Sequence, residues 1–359
     1  MGTLSKWLRI TVYGSLMSLI LTSCNPDHLA SSSVATSSFT IQSGEHLMHK
    51  TKTSQSVRVT PSDTSEYPIH PDHLTNELMK GNYEQIYSQT SQAFKQEVSW
   101  DTFLKVISSF SDDVQGYQSI SELKQDHTIR KVWIDEQQRR GIVAVFADQL
   151  PDYPDHTILG LRVNDLEKHP ATDHIQTQTI FSPPVQQNWQ VVWGGSNTLV
   201  NYHYEYPNQR YAYDLIVTQN GSSYRGNPKK NKSYFAFGRP VTAPADGKIV
   251  KVVNNIADNE PVGSTNEQQP AGNYVIIQHA DREYSMLAHF RQHSIDVQVG
   301  DTVKRGQVLG QCGNSGNSSE PHIHFQVMDQ ANWAASTSLP VQFANHFSPI
   351  QGETMHPSL

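Results

Sequence analysis

A short stretch near the C-terminal end constrains the fold most strongly, because it places two histidines two positions apart. Small, turn-forming residues from Gly313 onward lead to Pro321, and His322, Ile323 and His324 follow. Polar and apolar residues alternate through this stretch, which is typical of a β-strand. Side chains at positions i and i+2 of a strand face the same way. The two imidazoles are therefore predicted to project from one face of the sheet.

Two imidazoles brought to one point can form part of a zinc site, since neutral imidazole is a good zinc ligand. The alternative is a pair of histidines on a solvated strand face, which requires no metal. The motifs that precede the pair favour the metal site.

Four further motifs come before this stretch in a fixed order: Tyr211-Ala212-Tyr213-Asp214, Ala243-Pro244-Ala245-Asp246-Gly247, Leu287-Ala288-His289-Phe290 and Val299-Gly300-Asp301-Thr302-Val303. Together with the two histidines they resemble the M23 metallopeptidase family, the LytM or lysostaphin-type peptidoglycan endopeptidases. The resemblance covers residues 198–335. The last motif alone also occurs in lipoyl-like barrels, but a lipoyl carrier needs a modifiable lysine at a hairpin tip. Here the segment leads into the histidine pair instead.

The resemblance implies a mostly-β domain with an antiparallel sheet groove, related to lipoyl-like barrels, and one Zn²⁺ per chain. In the family, the zinc ligands are a histidine, an aspartate and the second histidine of His-x-His. By position, Asp214 and His324 are two of these ligands. The resemblance also implies that His322 and His289 assist catalysis, a role that suits side chains titrating near neutral pH.

The first zinc ligand departs from the family pattern, in which a histidine lies four residues before the aspartate. Arg210 occupies that position, and a guanidinium stays protonated with no lone pair to offer a metal. Some M23-like lipoproteins share an Asn-x-His segment ahead of the aspartate motif, so His203 is the predicted ligand. Glu205 is the weaker alternative. If neither binds zinc, the domain is a non-catalytic module that binds the wall or activates an amidase.

Three further residues are predicted to line the substrate groove: Asn273, Tyr202 and Tyr204. Cys312 lies among small and apolar residues, which favours a buried thiol over a soft-metal ligand. The remaining cysteine of the chain, Cys24, has a different context.

The first 24 residues are predicted to direct the chain out of the cytoplasm. Basic residues precede an apolar run that is too short to span a membrane, and the run ends in a bacterial lipobox at Cys24. Residues 1–23 are therefore predicted to be a signal peptide and Cys24 a lipidated anchor. An ordinary signal peptide with an incidental cysteine is the alternative. The predicted location is the outer face of the bacterial membrane, facing the cell wall.

Composition narrows the classes of partner. The 359 residues suffice for two domains plus extensions. A net charge of -7 without a basic stripe argues against nucleic-acid binding. Two cysteines argue against a disulfide framework. The predicted partners are peptidoglycan, the membrane through the lipid anchor, and a regulatory protein.

Between the lipobox and the peptidase-like region, the sequence predicts a tether and a first domain. Residues 24–68 are rich in Ser and Thr without periodicity, which is typical of a flexible tether. Residues 69–196 are predicted to form an α+β domain. Three helices are predicted, over residues 73–80, 83–94 and 100–110; Asp72 is predicted to cap the first and Ser99 the third. Four strands are predicted, over residues 128–134, 141–147, 158–163 and 189–193.

This first domain resembles the DUF3887 or NTF2-like cones that precede some M23 domains, and a role as spacer or docking domain is the simplest interpretation. Residues 197–340 are predicted to be the M23 peptidase domain, and residues 341–359 an irregular tail. The predicted function is a membrane-anchored zinc endopeptidase that cuts the peptide stems or cross-bridges of peptidoglycan.

Overall fold

Two antiparallel sheets organise the part of the chain that the computed structural model describes, residues 68–344 and 347–357. These residues belong to a single unit. The predicted signal peptide, Cys24 and the predicted tether lie outside them. Within them, none of the helices has both the length and the apolar character that crossing a membrane requires.

The N-terminal domain, residues 68–165, begins with four helices: α1 Leu74–Met79, α2 Tyr83–Ser88, α3 Gln92–Glu97 and α4 Trp100–Ser111. Ser99 caps α4 as predicted, since its Oγ accepts the Thr102 N–H at 3.3 Å. The single helix predicted over residues 83–94 is instead two helices. Ser91 starts a new one, because its hydroxyl accepts the Phe94 N–H at 3.2 Å.

The predicted cap at Asp72 is wrong. Asp72 lies inside a 3₁₀ turn, Pro71–His73, that precedes α1. Its carboxylate pairs with the buried Lys131 amine on the adjacent sheet instead. The ammonium of Lys131 has a second carboxylate partner in Glu122, at 2.8 Å. Two carboxylates around one buried amine compensate its desolvation.

Four strands complete the N-terminal domain in the order in which they occur: β1 Tyr117–Gln125, β2 Thr128–Asp135, β3 Arg140–Ala147 and β4 Ile158–Asp165. The first of them was not predicted, because its mostly polar residues alternate poorly and few are buried. The helices cover one face of this sheet with an apolar cluster that includes Ile86, Phe103 and Trp133. The predicted α+β class fits, while the resemblance to NTF2-like cones stays a prediction.

The C-terminal domain, residues 176–357, is mostly β and contains a nine-stranded antiparallel sheet. Its strands run in the spatial order β11, β8, β9, β10, β13, β6, β5, β15, with β14 beside β13. A two-stranded ladder, β7 with β12, lies next to it. The strands are β5 Trp189–Trp193, β6 Tyr213–Ile216, β7 Pro240–Thr242, β8 Gly247–Val253, β9 Asn273–Ala280, β10 Glu283–Phe290, β11 Thr302–Val303, β12 Val308–Gln311, β13 Ile323–Met328, β14 Ser338–Leu339 and β15 Thr354–Met355.

Two predicted boundaries do not match this sheet. The strand at Trp189–Trp193 was predicted for the first domain, yet it pairs with β6 and β15 of the second sheet. Its Trp189 and Val191 side chains are buried in the C-terminal core. The predicted irregular tail contributes β15, whose Met355 is also buried in that core. Apolar side chains on both segments therefore draw them into the larger sheet.

The central strands of this sheet place the candidate site. Strand β13 lies between β10 and β6, and His324 is directly opposite Asp214 on one side and Ala288 on the other. Directly opposite residues of antiparallel strands have Cβ atoms about 5 Å apart. Residues that are 110 positions apart in sequence thus become neighbours.

Candidate active site and metal centre

Three side chains converge at the centre of the sheet: His203, Asp214 and His324. One potential ligand atom from each lies within 4.8 Å of the others. His324 Nδ1 is 3.0 Å from Asp214 Oδ1, and His203 Nε2 is 3.5 Å from Asp214 Oδ2. All three residues are buried, so the solvated strand face considered for His324 is wrong. The arrangement brings together the three predicted ligands.

The ring of His203 is oriented by a side-chain amide. His203 Nδ1 lies 2.9 Å from Asn201 Oδ1. The amide nitrogen of Asn201 donates to the carbonyls of Gly195, Arg210 and Ala212, which identifies its oxygen as the acceptor facing the ring. His203 therefore carries its proton on Nδ1, and the lone pair of Nε2 faces Asp214.

A second amide orients His324 from the opposite nitrogen. His324 Nε2 lies 2.8 Å from Gln326 Oε1, and the Gln326 amide nitrogen donates to the Asn208 carbonyl at 2.9 Å. The Nε2 proton faces Gln326, and Nδ1 is the nitrogen beside Asp214 that a metal would bind. Hydrogen bonds of this kind, from the non-ligating nitrogen to an outer partner, fix the tautomer of metal-binding histidines.

The pKa values of Asp214 and His203 favour the protonation states that a metal ion requires of its ligands. Burial would raise the pKa of Asp214, but the neighbouring His203, His322 and His324 hold that pKa well below its usual range. Burial, reinforced by His324 and His322, lowers the pKa of His203 to about 3. At neutral pH the cluster therefore combines a buried carboxylate with an uncharged His203, a combination that suits a cation.

These residues fit a zinc ion. His203 Nε2 is buried and lacks a hydrogen-bond partner within the part of the chain that the structure describes. A buried polar atom without a partner costs free energy, and a metal would satisfy it. Two imidazoles and one carboxylate, with a fourth position left for water, are a donor set of catalytic zinc. Magnesium and calcium prefer sites made of oxygen atoms alone.

Two further histidines, His289 and His322, lie beside the three candidate ligands. Their ring centroids are 4.7 Å apart, and His322 Nε2 is 3.8 Å from Asp214 Oδ1. His289 Nδ1 lies 2.7 Å from the Ser315 carbonyl, and His322 Nδ1 lies 2.9 Å from the Glu320 carbonyl. A carbonyl only accepts, so both rings carry a proton on Nδ1 and keep Nε2 available.

Burial lowers the pKa values of both these histidines. For His289 the pKa lies well below its ordinary value, with His322 and His324 adding to the effect of burial. For His322 burial is also the largest cause, and His324 adds to it, while Asp214 and the Glu320 carbonyl oppose the shift. Both imidazoles are thus uncharged at neutral pH, and each can accept a proton on Nε2.

His289 has an unusual backbone, with φ at 67°, in the left-handed region that non-glycine residues rarely adopt. It sits where the pairing of β10 with β9 shifts register between Ala288 and Phe290. A bulge of this kind redirects a side chain near an active site. The bulge explains how a residue at the end of β10 turns its ring toward His322.

The loop formed by residues 313–321 supplies both backbone acceptors. It is packed closely against its surroundings: a Cβ on Gly316 would lie 2.4 Å from the backbone nitrogen of Gly272, and Gly316 has φ at 85°. Asn273 is fully buried and its N–H donates to Ser315 Oγ at 2.9 Å. Its side-chain amide donates to the carbonyls of Ile256 and Phe290. Asn273 therefore supports this loop, and its position does not fit the predicted groove.

The predicted groove tyrosines have different positions. Tyr202 is half-buried and stacks on His203 with ring centroids 3.9 Å apart, and its hydroxyl lies 3.4 Å from Asp214 Oδ2. Tyr204 is buried and donates its hydroxyl to Asp173 at 2.8 Å. Only Tyr202 is thus placed to meet a substrate, whereas Tyr204 is a packing residue.

Arg210, which stands where the family pattern has a zinc-binding histidine, is not one of the three candidate ligands. Arg210 is buried, and its guanidinium packs over the Tyr204 ring at 5.5 Å. His203 lies in the cluster of three candidate ligands, whereas Glu205 is exposed and lies outside it. Cys312 is a free, buried thiol, as predicted.

Sequence reasoning missed the residues that orient the histidines. Asn201 and Gln326 each lie two positions from a candidate ligand, and Ser315 and Glu320 act through backbone carbonyls. For Asn201 and Gln326, the only sequence signal is a polar residue two positions from a candidate ligand, and this signal is weak. No sequence signal identifies a backbone acceptor.

Part of the chain matches a known protein family. Residues 233–336 match the model of peptidase family M23. The matched segment of the chain is therefore similar to M23 peptidases. The matched range includes His289, His322 and His324, whereas His203 and Asp214 precede it.

The chain is similar to curated relatives over short segments. The chain is 34% identical to the peptidoglycan DD-endopeptidase ShyA of Vibrio cholerae over 26% of its own length and 18% of that relative. It is 35% identical to the glycyl-glycine endopeptidase ALE-1 of Staphylococcus capitis over 26% of its own length and 23% of that relative. The matches therefore span less than a quarter of each relative.

Among solved structures, the chain is similar to the catalytic domain of the antimicrobial peptidase lysostaphin from Staphylococcus simulans. The TM-score is 0.24 at 25% sequence identity, and the match covers 36% of this chain and 74% of that one.

Proposed function

We propose that the chain is a secreted, membrane-anchored zinc metalloendopeptidase that hydrolyses peptide bonds in the stems or cross-bridges of peptidoglycan. The convergence of His203, Asp214 and His324 beside His289 and His322 carries the proposal. The relatives named as endopeptidases, one of them acting on peptidoglycan, support the substrate class.

The chemistry divides between the metal and the chain. A zinc ion at the three ligands would polarise the scissile carbonyl and make water a stronger nucleophile. The chain's own contribution is proton transfer. Uncharged His289 and His322 can accept a proton on Nε2 from the attacking water, and the resulting imidazolium can return it to the leaving amine. The Ser315 and Glu320 carbonyls keep the Nδ1 protons in place during this exchange.

The proposal is tested by metal content and wall cleavage of the full chain purified in detergent. We expect about one zinc per chain and clearing of a suspension of purified walls. His324→Ala should lose both, because it removes a ligand. His174→Ala is the matched control, since this histidine is exposed and far from the three ligands in sequence. A parent that binds zinc without cleaving any wall preparation favours the non-catalytic module, and a parent without zinc overturns the proposal.

The location is a separate part of the proposal and rests on the first 24 residues. Lipidation of Cys24 would fix the mature chain to the membrane, and more than one acyl chain makes a stable anchor. Growth with a labelled fatty acid should label the parent protein, and Cys24→Ser should abolish the label. An unlabelled parent would indicate an ordinary signal peptide.

A further inference from the structure

The hairpin of β1 and β2 reaches from the N-terminal domain to the C-terminal domain. Its two-residue turn is Asp126 and His127, both in the left-handed region at φ 47° and 64°. Tight hairpin turns of this kind match the twist of the strands they join. The Asp126 N–H donates to the Gly221 carbonyl at 2.8 Å, and Ser222 Oγ donates to Asp126 Oδ1 at 2.8 Å. The tip of the hairpin is therefore fixed on the C-terminal domain.

Glu320 meets this hairpin from the loop that leads to the catalytic histidines. Its side chain is buried, with a relative exposure of 5% for the residue. Ser223 Oγ donates to Glu320 Oε2 at 3.0 Å, and Gln125 Nε2 donates to Glu320 Oε1 at 3.3 Å. The same hydroxyl and the same amide also contact Asp126, at 3.4 Å and 3.2 Å. One donor from each domain thus bridges two carboxylates.

The backbone of Glu320 is part of the active site. Its carbonyl accepts the Nδ1 proton of His322 at 2.9 Å and a hydrogen bond from Ser318 Oγ at 2.9 Å. A movement of Glu320 would therefore displace the acceptor that holds the His322 ring. The contact between the hairpin and Glu320 is only two residues from a proposed catalytic histidine.

The domains are joined over more than the hairpin tip. Leu123 of β1 packs with Val192 and Ile216, and Tyr202 packs against the same cluster. Ser121 Oγ donates to the Gln351 carbonyl at 2.7 Å. The N-terminal sheet therefore supports both the segment that precedes His203 and the loop that precedes His322.

We propose that the β1–β2 hairpin is a positioning element of the active site, which holds His322 in its proton-transfer orientation through Glu320. This role rests on the peptidase function proposed above, and it replaces the simpler interpretation of the N-terminal domain as a spacer. Glu320 and Asp126 are positioning residues, since they act through the His322 ring.

The charge state of Glu320 makes the contact sensitive to pH. Burial, followed by the Asp126 carboxylate, raises the pKa of Glu320 to about 7. Tyr234 also faces Glu320, with Tyr224 packed on it, and His322 meets its backbone. No cation contributes to this environment among the residues that the structure describes. Ionisation of Glu320 therefore places a second negative charge beside the Asp126 carboxylate.

The pH dependence of stability follows from the difference in proton binding between the folded and unfolded states. The carboxyl keeps its proton up to about pH 7 in the folded chain but loses it near the ordinary value of 4.5 when unfolded. The unfolded state thus binds fewer protons between these values, and the stability contribution of the contact falls as pH rises through that window. Above it, the ionised Glu320 weakens the hold of the hairpin on the loop.

The first test is thermal unfolding of the full chain, purified in detergent, from about pH 4.5 to about pH 8. Glu320→Gln removes the titration and retains the side-chain shape. We expect the Tm of the variant to rise relative to the parent as pH increases. Glu267→Gln is the control, because this glutamate is exposed and its Tm difference from the parent should not change with pH. A constant Tm difference for Glu320→Gln would overturn the coupling to pH. This series requires no enzymatic activity.

The second test is the ratio of kcat at about pH 8.5 to kcat at about pH 6 on purified walls, with zinc content measured for each protein. Glu320→Gln should give a higher ratio than the parent. Asp126→Ala should lower kcat about tenfold with zinc and KM unchanged, because the hairpin loses its hydrogen bonds with Ser222 and Ser223. Asp126→Asn should recover part of kcat, since its amide oxygen can still accept from Ser222 Oγ and its charge is gone.

The outcomes separate the two proposals. Equal kcat in Asp126→Ala and the parent would overturn the positioning role while leaving the peptidase function intact. A parent that cleaves no wall overturns the peptidase function and the positioning role with it. In that case the unfolding series still decides whether Glu320 titrates against the hairpin.

Discussion

In the metal-binding half of the site, side-chain amides orient the imidazoles, whereas in the proton-transfer half backbone carbonyls do. Asn201 holds His203 and Gln326 holds His324, each through one hydrogen bond to the nitrogen that faces away from Asp214. Each amide is in turn fixed by donating to backbone carbonyls. This half can therefore be adjusted by substituting one side chain at a time.

The proton-transfer half depends on one loop. His289 and His322 donate to the carbonyls of Ser315 and Glu320, both within residues 313–321. A carbonyl cannot be removed by substitution, so its position depends on what packs against the loop. Asn273 supports one end of the loop and the hairpin of the N-terminal domain supports the other. Because different groups orient the two pairs of histidines, mutations should be able to impair metal binding and proton transfer separately.

The largest expected effect is the loss of a metal ligand. Asp214→Ala should abolish stoichiometric zinc and lower kcat/KM by about a thousandfold or more, since the metal supplies several kcal/mol of transition-state stabilisation. Metal analysis and wall-cleavage kinetics measure the two effects. Asp281→Ala is the control, because this aspartate is in the exposed turn between β9 and β10. Zinc retained in Asp214→Ala would mean that the ligand set is different.

The proton-transfer half should respond differently to the loss of a histidine. We expect His322→Ala to retain its zinc while kcat falls by about 10²- to 10⁴-fold, the usual range for a general acid–base group. Zinc content and kcat measured on one preparation check this. Loss of zinc together with activity would show that the two halves cannot be separated.

A smaller effect is expected for an orienting amide of the metal half. Gln326→Leu removes the acceptor of the His324 Nε2 proton, and loss of such a partner weakens metal affinity by about 10- to 100-fold. Competition with a chelator of known affinity measures the change. Gln298→Leu, at an exposed position, is the control. Unchanged zinc affinity would indicate that the fold alone orients His324.

The smallest expected effect concerns a secondary contact of the proton-transfer half. Ser318→Ala removes a hydroxyl that lies 3.1 Å from His322 Nδ1, but the Glu320 carbonyl remains as acceptor. We expect kcat to fall by at most about tenfold, in line with one hydrogen bond, and zinc affinity to stay constant. Ser264→Ala, on an exposed turn, serves as reference. A change in zinc affinity would contradict the assignment of Ser318 to this half.

The predicted elements that matched the structure are those with strong local signals. Strand β13 alternates polar and apolar residues, and helix α4 begins at a serine cap. The predicted helix over residues 83–94 was too long, because a helix-forming sequence hides the break at Ser91. Strand β1 was missed because it is held in the sheet by backbone pairing with β2, and its mostly polar residues do not form a buried face.

The candidate metal ligands were predicted more completely than the residues that surround them. His203, Asp214 and His324 meet as expected, although His203 departs from the usual spacing of the first ligand. The structure buries Asn273 and Tyr204, which the sequence did not indicate, and their groove roles stay predictions. The first domain was predicted to end after Trp189–Trp193, but pairing with distant strands decides which sheet that segment joins.

The sequence by itself determined the residue types of the site and their order along the chain, because the ligand chemistry of histidine and aspartate is local. Only the tertiary structure decided the tautomers of the imidazoles and the placing of Glu320 against Asp126. Tautomers follow from acceptors that lie on other turns and strands, and the raised pKa of Glu320 follows from burial between two domains. Both are properties of a packed interior, where distance in sequence has no bearing on contact.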